Sequence, residues 1–289
     1  MGKFLDLAGL QRLTKNVRLR LEQKQDKITG LPGQILYIGE AGINAMTATA
    51  EGKIRLERRG GDLVIRSYAS NANLLDNACW IQRAAVINQR GKSEYTTVGY
   101  TIDRWVFSEG GKMAVERNGL RMSPENSPHG RTNIYQPLET QLADDTVYTL
   151  SILYDSNQLS VRSGYKNMNS IAPIAGFGYA RFYDIRERSI VEFVCNTANS
   201  ETIIHAAKLE EGSEQTLAHQ DAEGNWVLND PPPDRTLELL KCQRYYQVFS
   251  SQEQRPVKAA DFRSVMRVNP ALGTITLDGT TYYTADANL

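Results

Sequence analysis

In Thr146-Val147-Tyr148-Thr149-Leu150-Ser151-Ile152-Leu153-Tyr154-Asp155-Ser156-Asn157-Gln158-Leu159 the larger side chains Tyr148, Leu150, Ile152 and Tyr154 fall on every second residue. A period of two marks a strand with one face turned inward. Ser156-Asn157 is turn chemistry and returns Thr146–Tyr154 into a partner at Leu159–Arg162. The same period recurs at Val191, Phe193 and Cys195, and at Ile203, His205, Ala207 and Leu209. Asn118-Gly119, between Lys112–Arg117 and Leu120–Ser123, is a strong hairpin signal. Strands follow one another over 73–217 with no helical periodicity between them. That pattern predicts an antiparallel sandwich or jelly roll and argues against a parallel sheet.

The flanking segments read differently. Leu10, Leu13, Val17 and Leu21 recur at three- and four-residue steps, preceded by Phe4 and Leu7, and predict an amphipathic helix within 1–29. An isolated helix of this length is marginal in water, so its stripe must be covered by its own domain or by other copies of the chain. The breakers Thr29-Gly30-Leu31-Pro32-Gly33 lead into residues 30–72, which hold short strands at Gln34–Ile38 and Lys53–Leu56. Gly39, Gly42, Gly52 and Gly60-Gly61 mark the turns of what reads as a β connector. Residues 218–289 read as a small, β-rich α+β module. Glu223-Gly224-Asn225 turns into Trp226-Val227-Leu228, and Pro231-Pro232-Pro233 is a stiff spacer. Asp234 is placed to cap a helix over Arg235–Cys242. Asp278-Gly279 joins Thr274–Leu277 to Thr280–Thr284 as a hairpin. The expected fold is therefore mainly β: an N-terminal α-helix, an antiparallel jelly roll or sandwich, and a small C-terminal α+β module.

Composition removes several functions. Lys plus Arg and Asp plus Glu both number 33 in 289 residues, and the formal net charge is zero. Nucleic-acid binding and polybasic attachment to membranes both rest on a basic surface, so neither is expected. No apolar run is long enough to span a bilayer, and no secretory signal is visible. Cys79, Cys195 and Cys242 are odd in number and far apart, which disfavours a disulfide framework or a zinc site. No Asn-x-Ser/Thr sequon occurs.

Motifs that carry chemistry are missing too. There is no P-loop, no dinucleotide-binding glycine fingerprint, no His-Glu-x-x-His and no Gly-x-Ser-x-Gly. His129, His205 and His219 lack metal-ligand spacing. His205 reads as a satisfied core residue of a strand, and His129 as a solvent-exposed loop residue, with contact to a ligand as the alternative. Asp144-Asp145 reads as a solvated turn, with a structural calcium as the alternative. No other cofactor is expected, and no catalytic residue is assigned. Tyrosine is over-used, at 14 against 7 Phe and 3 Trp. A tyrosine offers an apolar ring and a polar tip, which suits a surface that binds sugar. Tyr95, Tyr135, Tyr154 and Tyr165, with His129, are the candidate ligand-binding residues. Tyr179 falls in the same region, although a tyrosine-rich β core fits the same counts. Trp105 sits in apolar surroundings and reads as a core anchor.

Certain motifs resemble a known family. Phe4–Leu21, then Lys24-Gln25-Asp26-Lys27-Ile28-Thr29-Gly30 and Gly33-Gln34-Ile35-Leu36, is similar to the N-terminal module of phage and prophage tail fibre proteins. Asn73-Leu74-Leu75-Asp76-Asn77, Ile87-Asn88-Gln89-Arg90-Gly91 and Gly99-Tyr100-Thr101-Ile102-Asp103-Arg104-Trp105 resemble the opening of their β-rich receptor-binding region. Ala206-Ala207-Lys208-Leu209-Glu210-Glu211-Gly212 resembles its closing strand, and Cys242-Gln243-Arg244-Tyr245-Tyr246 the motif that follows. Cys79-Trp80-Ile81-Gln82 departs from the pattern.

The resemblance implies a homotrimeric receptor-binding protein of the virion tail, made in the bacterial cytoplasm. Its partners would be a host cell-surface polysaccharide and other tail proteins. Leu10, Leu13, Val17 and Leu21 would then form a trimeric, coiled-coil-like bundle. Three readings follow: non-catalytic attachment to glycan, a structural tail or collar component, and a depolymerising tail spike with hidden paired carboxylates.

Overall fold

The computed structural model describes the backbone of four strands between residues 34 and 68. Beyond these it describes 70–155, 157–165, 179–185, 188–196, 201–221, 223–250, 252–253, 255–256 and 261–288. The chain divides into two compact units, 1–69 and 70–289. In the first, β1 (Gln34–Gly39) pairs with β2 (Gly42–Thr47), and β3 (Lys53–Arg59) pairs with β4 (Asp62–Tyr68), both antiparallel. The expected helix, with Leu10, Leu13, Val17 and Leu21, lies outside the described residues.

The second unit is built mainly of strands. In chain order they are β5 (Glu94–Tyr95), β6 (Gly99–Tyr100), β7 (Val106–Glu109), β8 (Lys112–Val115), β9 (Leu120–Ser123) and β10 (Thr132–Pro137). Then come β11 (Val147–Tyr154), β12 (Gln158–Tyr165), β13 (Tyr179–Ile185), β14 (Arg188–Cys195) and β15 (Thr202–Glu211). One sheet has the order β13-β14-β10-β7-β6, the other β12-β11-β15-β9-β8-β5, and every pairing is antiparallel. A single hydrophobic cluster takes Phe107, Ile134, Val191 and Phe193 from the five-stranded sheet. It takes Met113, Leu120, Leu150, Ile152 and Leu209 from the six-stranded one. Two antiparallel sheets sharing one core are consistent with a β sandwich. Trp80 and Trp105 are fully buried in that core, edge to face at 5.1 Å, and Trp105 stacks on Phe193 at 5.3 Å.

Several local expectations shift by a residue. β11 is buried on both faces, because Leu153 packs with Ala206, Leu217 and Ala218 in a second cluster. The ladder between β11 and β15 slips between Leu153 and Tyr154, which pair with Ala206 and Ile204. The β-bulge at His205 reverses the side-chain alternation. Ile204, Ala207 and Leu209 therefore reach the core, while Ile203 and His205 stay half-buried. His205 Nδ1 lies 2.6 Å from the Asn118 carbonyl. In the β8–β9 hairpin Glu116 N donates to Gly119 O, so Arg117 and Asn118 are the central turn residues, one position earlier than Asn-Gly suggests. Gly119 is needed there for closeness, since a Cβ would meet Ile203 Cγ2 at 2.4 Å and the Ile204 carbonyl at 2.7 Å.

The C-terminal segment continues the same unit. It comprises β16 (Ala218–Gln220), β17 (Trp226–Leu228), α1 (Arg235–Gln243), β18 (Tyr246–Phe249), β19 (Ala271–Leu277) and β20 (Thr280–Asp286), with a three-stranded sheet β18-β20-β19. Asp234 caps α1, its carboxylate accepting from Thr236 N and Leu237 N. Asp278 and Gly279 adopt φ of 49° and 76° between paired Leu277 and Thr280, as a two-residue type I′ turn requires.

Four of the motifs quoted above, Asn73–Asn77, Ile87–Gly91, Gly99–Trp105 and Cys242–Tyr246, meet in one buried junction. Asn77 is its hub. Its Nδ2 donates to the carbonyls of Ile87 (2.8 Å) and Asp103 (2.9 Å), and its Oδ1 accepts from Ile87 N. Its own carbonyl accepts from both core indoles, Trp80 Nε1 (2.7 Å) and Trp105 Nε1 (3.0 Å). Gln89 Nε2 donates to Asp103 Oδ1 and to the Tyr246 carbonyl, which ties the C-terminal segment to the sandwich. Two guanidinium groups complete the junction, Arg90 at 3.7 Å from the Tyr246 ring centre and Arg104 at 3.5 Å from that of Tyr245.

Candidate functional site

The outer face of the five-stranded sheet follows from its register. Ile134, Phe182, Val191 and Phe193 point to the core, so their chain neighbours point away. Cross-strand partners share a face. Tyr100 pairs with Val106, Val106 with Tyr135, Tyr135 with Glu192, and Glu192 with Arg181. One continuous row thus crosses all five strands, spanning roughly 19 Å at the usual strand spacing. Tyr183 extends it on β13, with Arg181 over its ring at 4.5 Å. Tyr100, Tyr135, Arg181 and Tyr183 are all half-buried. Val106, Ile190 and Val194 are buried apolar side chains of the same sheet that lie outside the core cluster.

Glu192 sets the electrostatics of this face. It is only 4% exposed, yet both carboxylate oxygens are engaged. Asn133 Nδ2 donates to one at 3.0 Å, and Arg181 Nε to the other at 2.5 Å. A buried carboxylate held this way fixes the guanidinium that would otherwise swing freely. Tyr135 and Tyr183 both have raised pKa values, first through burial and then through the negative charge of Glu192. Burial also raises Tyr100, against the opposing pull of Arg104. The three phenols therefore stay protonated across the physiological range and act as neutral donors and acceptors. The result is a strip of aromatic rings edged by one guanidinium and an amide.

The candidate residues do not converge. Tyr135 lies at the centre of the row. Tyr95 and Tyr154 are 6% and 4% exposed and belong to the core cluster, where they offer no ring face to a ligand. Tyr95 donates to Asn88 Oδ1 at 2.7 Å, and burial drives its pKa far up. Tyr165 ends β12 on the other sheet, and its side chain lies outside the described residues, as does that of Tyr179. His129 is exposed in the loop between β9 and β10. Asp144 and Asp145 are exposed ahead of β11, and among the described residues no three His, Cys, Asp or Glu side chains group as metal ligands.

Tyr100, Tyr183, Arg181 and Glu192 join the face without having been singled out as ligand residues. A signal for Tyr183 was present: in Ala180-Arg181-Phe182-Tyr183 the core takes Ala180 and Phe182, which sends Arg181 and Tyr183 outward. Searches against family models, curated proteins and solved structures return no match to this chain.

Proposed function

We propose that this chain is a phage or prophage tail fibre protein whose jelly-roll sandwich holds a host-surface glycan without cleaving it. The observation that carries this reading is the row Tyr100–Val106–Tyr135–Glu192–Arg181 on one sheet face. A pyranose presents an apolar C–H face and a rim of hydroxyls. Half-buried tyrosine rings match the first, and phenol, guanidinium and amide groups match the second. The ordered sequence motifs supply the family. As a homotrimer, the protein would gather weak single sites into avid attachment, with gains of roughly 10²–10⁴ from linked copies. It would act in the virion tail, joined to other tail proteins.

The test is binding of the full chain to polysaccharide from candidate host surfaces, with release of reducing ends measured in parallel. Tyr135→Ala and Tyr183→Ala should each weaken binding about tenfold. Tyr154→Phe, which alters a core ring, should leave binding unchanged. Released reducing ends would replace attachment with depolymerisation. Binding to another virion protein but to no glycan would mark a structural tail component instead.

A further inference from the structure

The tyrosine row ends among guanidinium groups. Tyr100, Arg104, Glu139, Arg188, Tyr245 and Arg267 are among the residues around a cavity of about 10 Å³, room for one oxygen-sized atom. Two of these charges are already committed. Arg104 holds Asp76 through Nε at 3.0 Å and the Pro137 carbonyl through Nη2 at 2.8 Å. Glu139 is gripped by both terminal nitrogens of Arg244. Arg188 and Arg267 are half-buried, and among the described residues neither has an acidic partner. Tyr245 is 3% exposed; its hydroxyl lies beside the Glu139 carboxylate, which adds to burial in raising its pKa, but makes no hydrogen bond of normal geometry.

The cavity therefore gathers the guanidinium groups of Arg188 and Arg267 and a buried phenol O–H, with one carboxylate, Glu139, that Arg244 already holds. Of these donors only the Tyr245 hydroxyl is buried, and a buried donor without a well-placed acceptor is costly. An anionic oxygen would answer all three at once, and a guanidinium is shaped for carboxylate or phosphate. The chain as a whole is neutral, so the attraction is local to this end of the sheet. We propose that the ligand of the tyrosine row is an acidic glycan, one of whose carboxylate or phosphate oxygens enters this cavity between Arg188, Arg267 and the Tyr245 hydroxyl. The inference rests on reading the sheet face as a glycan site and specifies its ligand class.

The experiment uses the full chain and each bound host polysaccharide in three forms: native, carboxyl-reduced, and dephosphorylated with hydrofluoric acid. One treatment should lower apparent affinity by about tenfold or more, and which one does so identifies the anion. Arg188→Gln combined with Arg267→Gln should cause a similar loss on native polymer and little further loss on the treated one. Tyr245→Phe removes only the hydroxyl and should weaken binding to the native form alone. If binding survives both treatments and both variants while Tyr135→Ala weakens it about tenfold, the acidic ligand is overturned and the glycan site stands. If the wild-type chain binds no polysaccharide at all, both fall. Should the arginine double variant not fold, the treated polymers with wild-type protein still decide the matter.

Discussion

Lys208 and Glu210 lie two residues apart on β15, 4% and 0% exposed. The ammonium is 3.7 Å from the carboxylate and donates to Ser70 Oγ at 2.9 Å and Thr216 Oγ1 at 2.7 Å. Glu210 also accepts from Thr216 N at 2.7 Å. Such a pair costs desolvation on both sides, and removing one partner strands the other. Lys208→Met should therefore destabilise the protein by about 3–5 kcal/mol in chemical denaturation at neutral pH. Adding Glu210→Gln should recover part of that loss, and a single variant as stable as wild type would contradict the argument. Burial lowers the Lys208 pKa from 10.5, with Glu210 and Asp230 opposing. Between the folded value and 10.5 the unfolded chain binds more protons, so this residue makes stability rise with pH in that alkaline window. The rise should be smaller in Lys208→Met.

At the scale of elements, two glycines with left-handed φ test different causes. Gly111 follows β7 at φ 94°, and a Cβ there would meet the Ser123 carbonyl at 2.3 Å and Thr132 Oγ1 at 2.1 Å. Gly279, in the β19–β20 turn at φ 76°, has nothing within 4 Å of an added Cβ. Gly279→Ala should cost about 1–2 kcal/mol, the backbone penalty alone. Gly111→Ala adds a backbone collision between hairpin and strand, and should lower the melting temperature clearly more. Equal effects would mean that the φ angle, and not the close approach, governs both. The β-branched Gly279→Val should be worse than Gly279→Ala. An unchanged melting temperature there would contradict the I′ assignment.

For the unit 70–289 as a whole, the sandwich and the C-terminal segment share a junction of buried polar groups and ring contacts. Asn77 N donates to Glu238 of α1, Gln89 reaches the Tyr246 carbonyl, and Arg104 stacks on Tyr245. Groups buried between two segments make their unfolding cooperative. Residues 70–289 should melt in one transition, and Arg104→Ala should lower that transition without splitting it. Two resolved transitions would show the C-terminal segment to be an independent domain. Self-association is tested by light scattering at several concentrations: three times 32.4 kDa is expected for the proposed trimer, and a concentration-independent monomer would remove most support for the fibre reading.

The sequence by itself determined what depends on near neighbours. The period of two in Val191, Phe193 and Cys195, the Asp278-Gly279 turn and the Asp234 cap were all legible, because each follows from the local backbone preferences of a few residues. Trp105 was legible as an anchor from its apolar surroundings. Only the tertiary structure decided which tyrosines face outward. Tyr154 lies on a strand covered on both faces, so alternation there names no exposed side. The His205 bulge reverses parity within one strand. Tyr100, Tyr135 and the hairpin pair Arg181 and Glu192 come from three segments far apart in the chain. Their meeting depends on long-range register, which is set by burying two sheets against one core.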